Sequence, residues 1–154
     1  MKKIKQTAID PVELKVLNLL LKNSRQSIRM LARKAGLSAA TVMKRLHRLE
    51  HAGVIQGYTA QLDYEALGYD IPVLIDLQVS KGKLFQVERK IATHPNVIAV
   101  YDTTGGFDAT IIAIFKTRRA MDAFLKLIQS YDFVERTETR VILNVIKDAR
   151  LTVD

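Results

Sequence analysis

The sequence predicts an α+β protein in two parts. A winged helix-turn-helix domain spans residues 1–60, and a linker at 61–70 joins it to a βαββαβ ferredoxin-like domain, an antiparallel four-stranded sheet, over 71–154. Three observations lead there. Charge divides sharply: residues 1–60 hold twelve Lys/Arg and three acids, whereas residues 61–154 hold twelve Lys/Arg and thirteen acids. Ala32, Gly36 and Val42 stand at the Ala-x3-Gly-x5-Val spacing of two helices meeting at a tight turn. Beyond residue 70, segments of period two alternate with segments of helical period.

The first helix opens on Asp10-Pro11-Val12-Glu13. Asp10 is placed to cap, Pro11 sits where its missing N–H is not needed, and Glu13 completes a capping box. Ile9 and Leu14 are spaced for a hydrophobic staple, and Leu14, Leu17, Leu20 and Leu21 form an apolar face. Ser27 caps a short second helix through Ala35, Gly36 turns the chain, and Ser38 caps the third helix. On that third helix Val42, Leu46 and Leu49 should face the core. Thr41, Lys44, Arg45 and Arg48 share another side, with Ser38 and Ala40 at its tip. Small residues at the tip let a helix approach base edges, and the cations beyond reach bases or phosphates. These six residues are the expected contacts to double-stranded DNA. After Gly53, "VIQGYTAQLD" fits a short hairpin or extended wing; lacking Lys and Arg, it is expected to pack rather than to touch DNA. Lys2, Lys3 and Lys5 form a basic tail that either follows the DNA backbone or stays free.

In the second part "IPVLIDLQV" alternates as a strand with one wet face, and "KLFQVERKIATH" is a helix stopped before Pro95. "VIAVYDTT" and "FDATIIAIF" read as a hairpin, "RRAMDAFLKLIQS" as a second helix, and "VERTETRVILNVI" as the last strand. Both helices then cover one sheet face. The other is apolar in places and wants a partner, for which a second copy of the chain is the obvious candidate.

Several classes fall away. No cysteine is present, so disulfides and thiolate metal sites are excluded, and His47 and His51 have no acid to complete a ligand set. No metal and no cofactor are expected. With no 18-residue apolar run and no signal-peptide pattern, the expectation is a soluble cytoplasmic protein without membrane partners. No nucleophile–base pair is visible, so catalysis is not expected.

The segments "LARKAGLSAATVMKRLHRLEHAGVIQGYTAQLDYEALGY", "YDTTGGFDATI" and "VERTETRVILNVIK" together resemble the Lrp/AsnC (feast/famine) family of transcriptional regulators over nearly the whole chain. The resemblance implies a dimer through the C-terminal sheets, further assembly to octamers or similar, and a small amino-acid effector held by the hairpin loop where dimers meet. It gives roles to the loop. Gly105 and Gly106 would offer backbone N–H groups to a carboxylate, Asp108 would receive an ammonium, and Thr103 and Thr104 would hydrogen-bond the same zwitterion. Tyr101 and Phe107 would wall the pocket, and a facing chain would bring Thr137 and Thr139. The competing reading is an architectural protein that coats DNA and has no effector.

Overall fold

A computed structural model of the chain describes residues 7–80, 82–148 and 152–153. The chain divides into two compact units: Met1–Gln61 together with Lys147–Asp154, and Leu62–Ile146. The tail from residue 147, expected with the second part, thus groups with the first. The basic tail at Lys2, Lys3 and Lys5 lies outside the described residues.

The first unit holds α1 (Pro11–Lys22), α2 (Ile28–Ala35) and α3 (Ala39–His51). The Asp10–Glu13 capping box forms in both directions, at 2.8 Å and 3.2 Å. Gly36 ends α2 in the left-handed region at φ 74°, where a side chain would be strained. Val16, Leu31, Ala32, Ala35, Val42 and Leu46 form the core. The face of α1 differs from expectation: Val16 is the residue fully removed from solvent, whereas Leu14 and Leu17 are only half-buried and Leu21 is exposed. Of the two forms expected for the segment after Gly53, a short hairpin or an extended wing, the hairpin does not form. The N–H groups of Val54 and Ile55 both return to the Leu49 carbonyl, and residues 56–63 form no strand. That segment is held instead by the Tyr58 hydroxyl, which donates to Glu50 at 2.9 Å.

The second unit runs β1 (Ile71–Val79), α4 (Leu84–Ile91), β2 (Val97–Asp102), β3 (Ala109–Phe115), α5 (Arg118–Gln129) and β4 (Val134–Val141). All pairings are antiparallel and the strand order is β2-β3-β1-β4, so β1 and β3 are central and β2 and β4 are edges. Val73, Ile75, Leu77 and Val79 of β1 join Ile111, Ala113 and Phe115 of β3 beneath Val87 and Ile91 of α4 and Phe124 and Ile128 of α5. β4 stops earlier than its alternating sequence suggests. Val141 pairs with Val73 and the Ile142 N–H reaches the Pro72 carbonyl, beyond which only Ile71 of β1 remains.

Candidate nucleic-acid interface and effector loop

On the first unit, Ser38 is the N-cap of α3. Its hydroxyl accepts from the Thr41 N–H at 3.1 Å and lies 2.8 Å from the Thr41 hydroxyl. One donor–acceptor pair therefore fixes the helix tip, with Ala40 exposed beside it. One turn on, Lys44 is exposed and makes no ion pair among the described residues. These four residues share an open face at the start of α3.

Arg45 and Arg48 behave differently. Arg45 pairs with Asp10 and approaches Glu13 at 3.6 Å. Arg48 grips Glu13 with both arms of its fork, Nε at 2.7 Å from Oε1 and Nη2 on Oε2, and Nη2 also reaches the Ala8 carbonyl at 3.0 Å. Glu13 is fully buried. A buried carboxylate is tolerated when paired and hydrogen-bonded in this way. The Arg48 hydrogen bond holds the Glu13 carboxyl below the usual range, and the Arg45 hydrogen bond does the same for Asp10. Both arginines, expected to reach bases or phosphates, thus fasten the start of α1 to α3. The capping box was legible in the sequence; its second use, as the anchor of two arginines 35 residues away, was not. On α2, Arg29, Arg33 and Lys34 are exposed cations that the residue pattern had not singled out.

On the second unit, six residues, Thr103 to Asp108, join β2 to β3. The Thr103 N–H donates to the Asp108 carbonyl at 2.9 Å and its hydroxyl to the Phe107 carbonyl at 3.3 Å, closing the base of the loop. Asp108 ties the loop to the sheet: its N–H donates to the Leu77 carbonyl and one carboxylate oxygen accepts from the Val79 N–H, each at 2.8 Å. Val79 follows the bulge in the β1–β4 pairing, where the ladder leaves that N–H free. Asp108 is therefore half committed to the fold, with one oxygen free of protein partners among the described residues. Between these anchors the N–H groups of Thr104, Gly105, Gly106 and Phe107 make no hydrogen bond among the described residues. Gly105 stands at φ 124°, a conformation only glycine holds easily.

The sheet register says which other residues share a face with the loop. Asp102, Ala109, Leu77 and Thr137 lie in one cross-strand row on the helix-covered side. Thr137 therefore stands two strands from the loop's end, roughly 10 Å away, where its hydroxyl accepts from Gln129 of α5 at 3.1 Å. Thr139 pairs with Ile75 and faces the same side. Tyr101 pairs with Thr110, so it faces the helix-free side. There the Thr110 hydroxyl donates to buried Asp76 at 2.6 Å, and Asp76 also pairs with Arg140. Phe107 lies under the Arg136 guanidinium, 5.3 Å from ring centre to cation. One chain thus gathers Thr103, Thr104, Gly105, Gly106, Phe107 and Asp108 in one loop, sets Thr137 in the row at the loop's end of the sheet, and places Thr139 two residues farther along, at mid-sheet. Tyr101 is on the opposite face.

Comparison with known proteins agrees across both units. Residues 9–56 match the winged helix-turn-helix DNA-binding profile, and residues 72–152 match the Lrp/AsnC ligand binding domain. An uncharacterized HTH-type transcriptional regulator of Pyrococcus furiosus is 41% identical over 140 residues, covering 91% of this chain and 95% of that one. Escherichia coli AsnC superposes with a TM-score of 0.88 at 24% identity, over 96% of this chain and 100% of its own. A Neisseria meningitidis transcriptional regulator solved as its L-Met complex gives 0.87 at 24% identity, over 96% and 97%. The helix-turn-helix unit, the four-stranded antiparallel domain and these likenesses lead to one conclusion: the chain belongs to the Lrp/AsnC family and is a DNA-binding transcriptional regulator with a ligand-binding domain, not an enzyme.

Proposed function

We propose that this regulator senses a small amino acid in the loop Thr103–Asp108 and that the bound effector changes its assembly and its occupancy of promoters. The observation that carries the reading is the loop itself: four successive backbone N–H groups without acceptors among the described residues, beside a carboxylate with one oxygen unpartnered among them. Such a pair of features matches both ends of a zwitterion. The Neisseria regulator solved with L-Met supports an amino-acid ligand for the same domain type. Copies join through their C-terminal sheets, into dimers and then octamers or similar, and Thr137 and Thr139 of one copy complete the loop of another. Soluble in the cytoplasm, such a dimer sets two α3 tips into successive major grooves about one turn, ~10 bp, apart. Ser38, Ala40, Thr41 and Lys44 approach the bases, while Arg29, Arg33 and Lys34 of the preceding helix serve the phosphate backbone. The effector acts only if it binds one assembly state more tightly than another.

Thermal shift of ligand-stripped protein with each of the twenty amino acids tests this. A ligand at ~100 times its Kd adds about 2.7 kcal/mol of stability. One or two amino acids should raise the melting temperature. Asp108→Asn, which keeps an acceptor for the Val79 N–H and removes the charge, should abolish that rise. A response to none of the twenty would favour the DNA-coating reading without effector.

A further inference from the structure

Fastening Arg45 and Arg48 to α1 changes which side of α3 is free. Val42, Leu46 and Leu49 point into the core, and the two arginines are held by Asp10 and Glu13. The open side nearest the tip is then Ala40, Met43, Lys44 and His47, an i, i+3, i+4, i+7 stripe opposite the buried residues. All four are exposed. The side chains of Lys44 and His47 have no hydrogen-bond or ion-pair partner among the described residues. Glu50, the one acid of α3, lies off the stripe and accepts the Tyr58 hydroxyl at 2.9 Å.

Met43 is the one large apolar side chain of α3 left in solvent, 48% exposed. A single exposed apolar residue is ordinary; the neighbours make this one informative. It stands between Ala40 and His47 and beside Lys44, on a helix whose tip is fixed by the Ser38–Thr41 pair. Seven residues of helix rise about 10 Å, the length of three base-pair steps of about 3.4 Å. Over that length a flexible thioether suits the 5-methyl group that marks thymine in the major groove, and an ammonium suits guanine O6 and N7. We propose that Ala40, Met43, Lys44 and His47 are the base-reading stripe of α3 and that Met43 selects a thymine by its methyl group. Met43 can do so only if α3 enters the groove tip first, the reading on which this rests.

Selection from a random DNA pool with the unaltered full chain should enrich a half-site that contains thymine. Replacing each thymine of that half-site by deoxyuridine removes one methyl group and nothing else. At one position the exchange should weaken binding about fourfold. Met43→Ala, at an exposed site, should keep the melting temperature and abolish the difference at that position alone. A difference that survives Met43→Ala, no thymine whose methyl group matters, or no enriched half-site would each overturn the assignment. Ala40→Glu separates this from the docking of α3. Binding undisturbed by Ala40→Glu would mean that α3 does not enter the groove, and the stripe would fall with that reading. Binding lost on Ala40→Glu, with the methyl difference untouched by Met43→Ala, would overturn the stripe alone.

Discussion

At the residue scale, Lys44 and Arg48 sit one turn apart on α3 and are predicted to fail differently. Lys44 is exposed and unpaired among the described residues. Lys44→Ala should weaken operator binding and lower the salt dependence by about one counterion, measured as the slope of log affinity against log salt. Arg48 is held by buried Glu13, so Arg48→Met strands a carboxylate. It should lower the melting temperature while changing the slope far less. Glu13→Ala, which removes the same link and half of the capping box, should cost about 1–3 kcal/mol. An Arg48→Met variant that kept its stability but lost a full unit of slope would return Arg48 to the DNA face. The same cluster sets an acid limit. Glu13 and Asp10 have folded values below their ordinary 4.5 and 3.8, held down by Arg48 and Arg45 respectively. Their stabilisation is whole above those ordinary values and is lost as pH falls through the depressed ones. Thermal melts from pH 6 to pH 3 should show that loss, and Glu13→Ala should flatten it. The sequence supplied the residues of this cluster but not the pairing, because nothing in local spacing brings position 13 to position 48. That contact exists only once the fold brings the start of α1 beside α3. Asp108 shows the same limit: its place in the loop was legible, whereas its bond to Val79 depends on a bulge one strand away.

At the scale of elements, periodicity located every helix and strand of the second unit, and it failed where an element depends on its neighbour. The helix-start chemistry of α1, α2 and α3 was local, so Asp10, Ser27 and Ser38 all appear as caps. The form of the wing was not local: its residues favour strands, but a hairpin needs a ladder, and here the chain returns to Leu49 and runs on without one. The overlong last strand has the same cause with the opposite meaning. Val141, Leu143 and Val145 keep the alternation, yet Leu143 is 86% exposed and Ile146 94%. A monomer rarely leaves such a run uncovered beside an edge strand. Together with half-buried Leu74, Ile112 and Ile114 on the helix-free sheet face, it offers the apolar surface that joining two copies would cover. Leu143→Asp should therefore shift the protein toward monomer in sedimentation, with helix content retained. An unchanged mass would place the interface elsewhere. On that same face buried Asp76 is held by the exposed Arg140 and by the Thr110 hydroxyl.

At the scale of the whole molecule, the proposed function requires that the free energy of effector binding reach α3, and the chain offers two covalent routes. Through residues 61–70 the route is a connecting segment with a single tight turn, Tyr64 to Tyr69, stacked edge to face at 6.1 Å. The second route is the tail from Lys147, which follows the strand bearing Thr137 and Thr139 and groups with the first unit. If both routes carry coupling, the effector changes DNA affinity by a factor that drops when one is cut. Coupling in such systems is typically 1–3 kcal/mol, roughly 5–150-fold in affinity. Deleting residues 149–154 should leave effector binding and basal DNA binding within about threefold, because neither the loop nor the α3 tip is touched. It should reduce the ratio of DNA affinities with and without effector toward one. Reciprocity supplies the check: the factor by which operator DNA changes effector affinity must fall by the same amount. Loss of effector binding itself would mean that the tail supports the ligand-binding domain rather than linking it. An unaltered coupling factor would leave the 61–70 segment and the assembly equilibrium as the means by which the two units communicate.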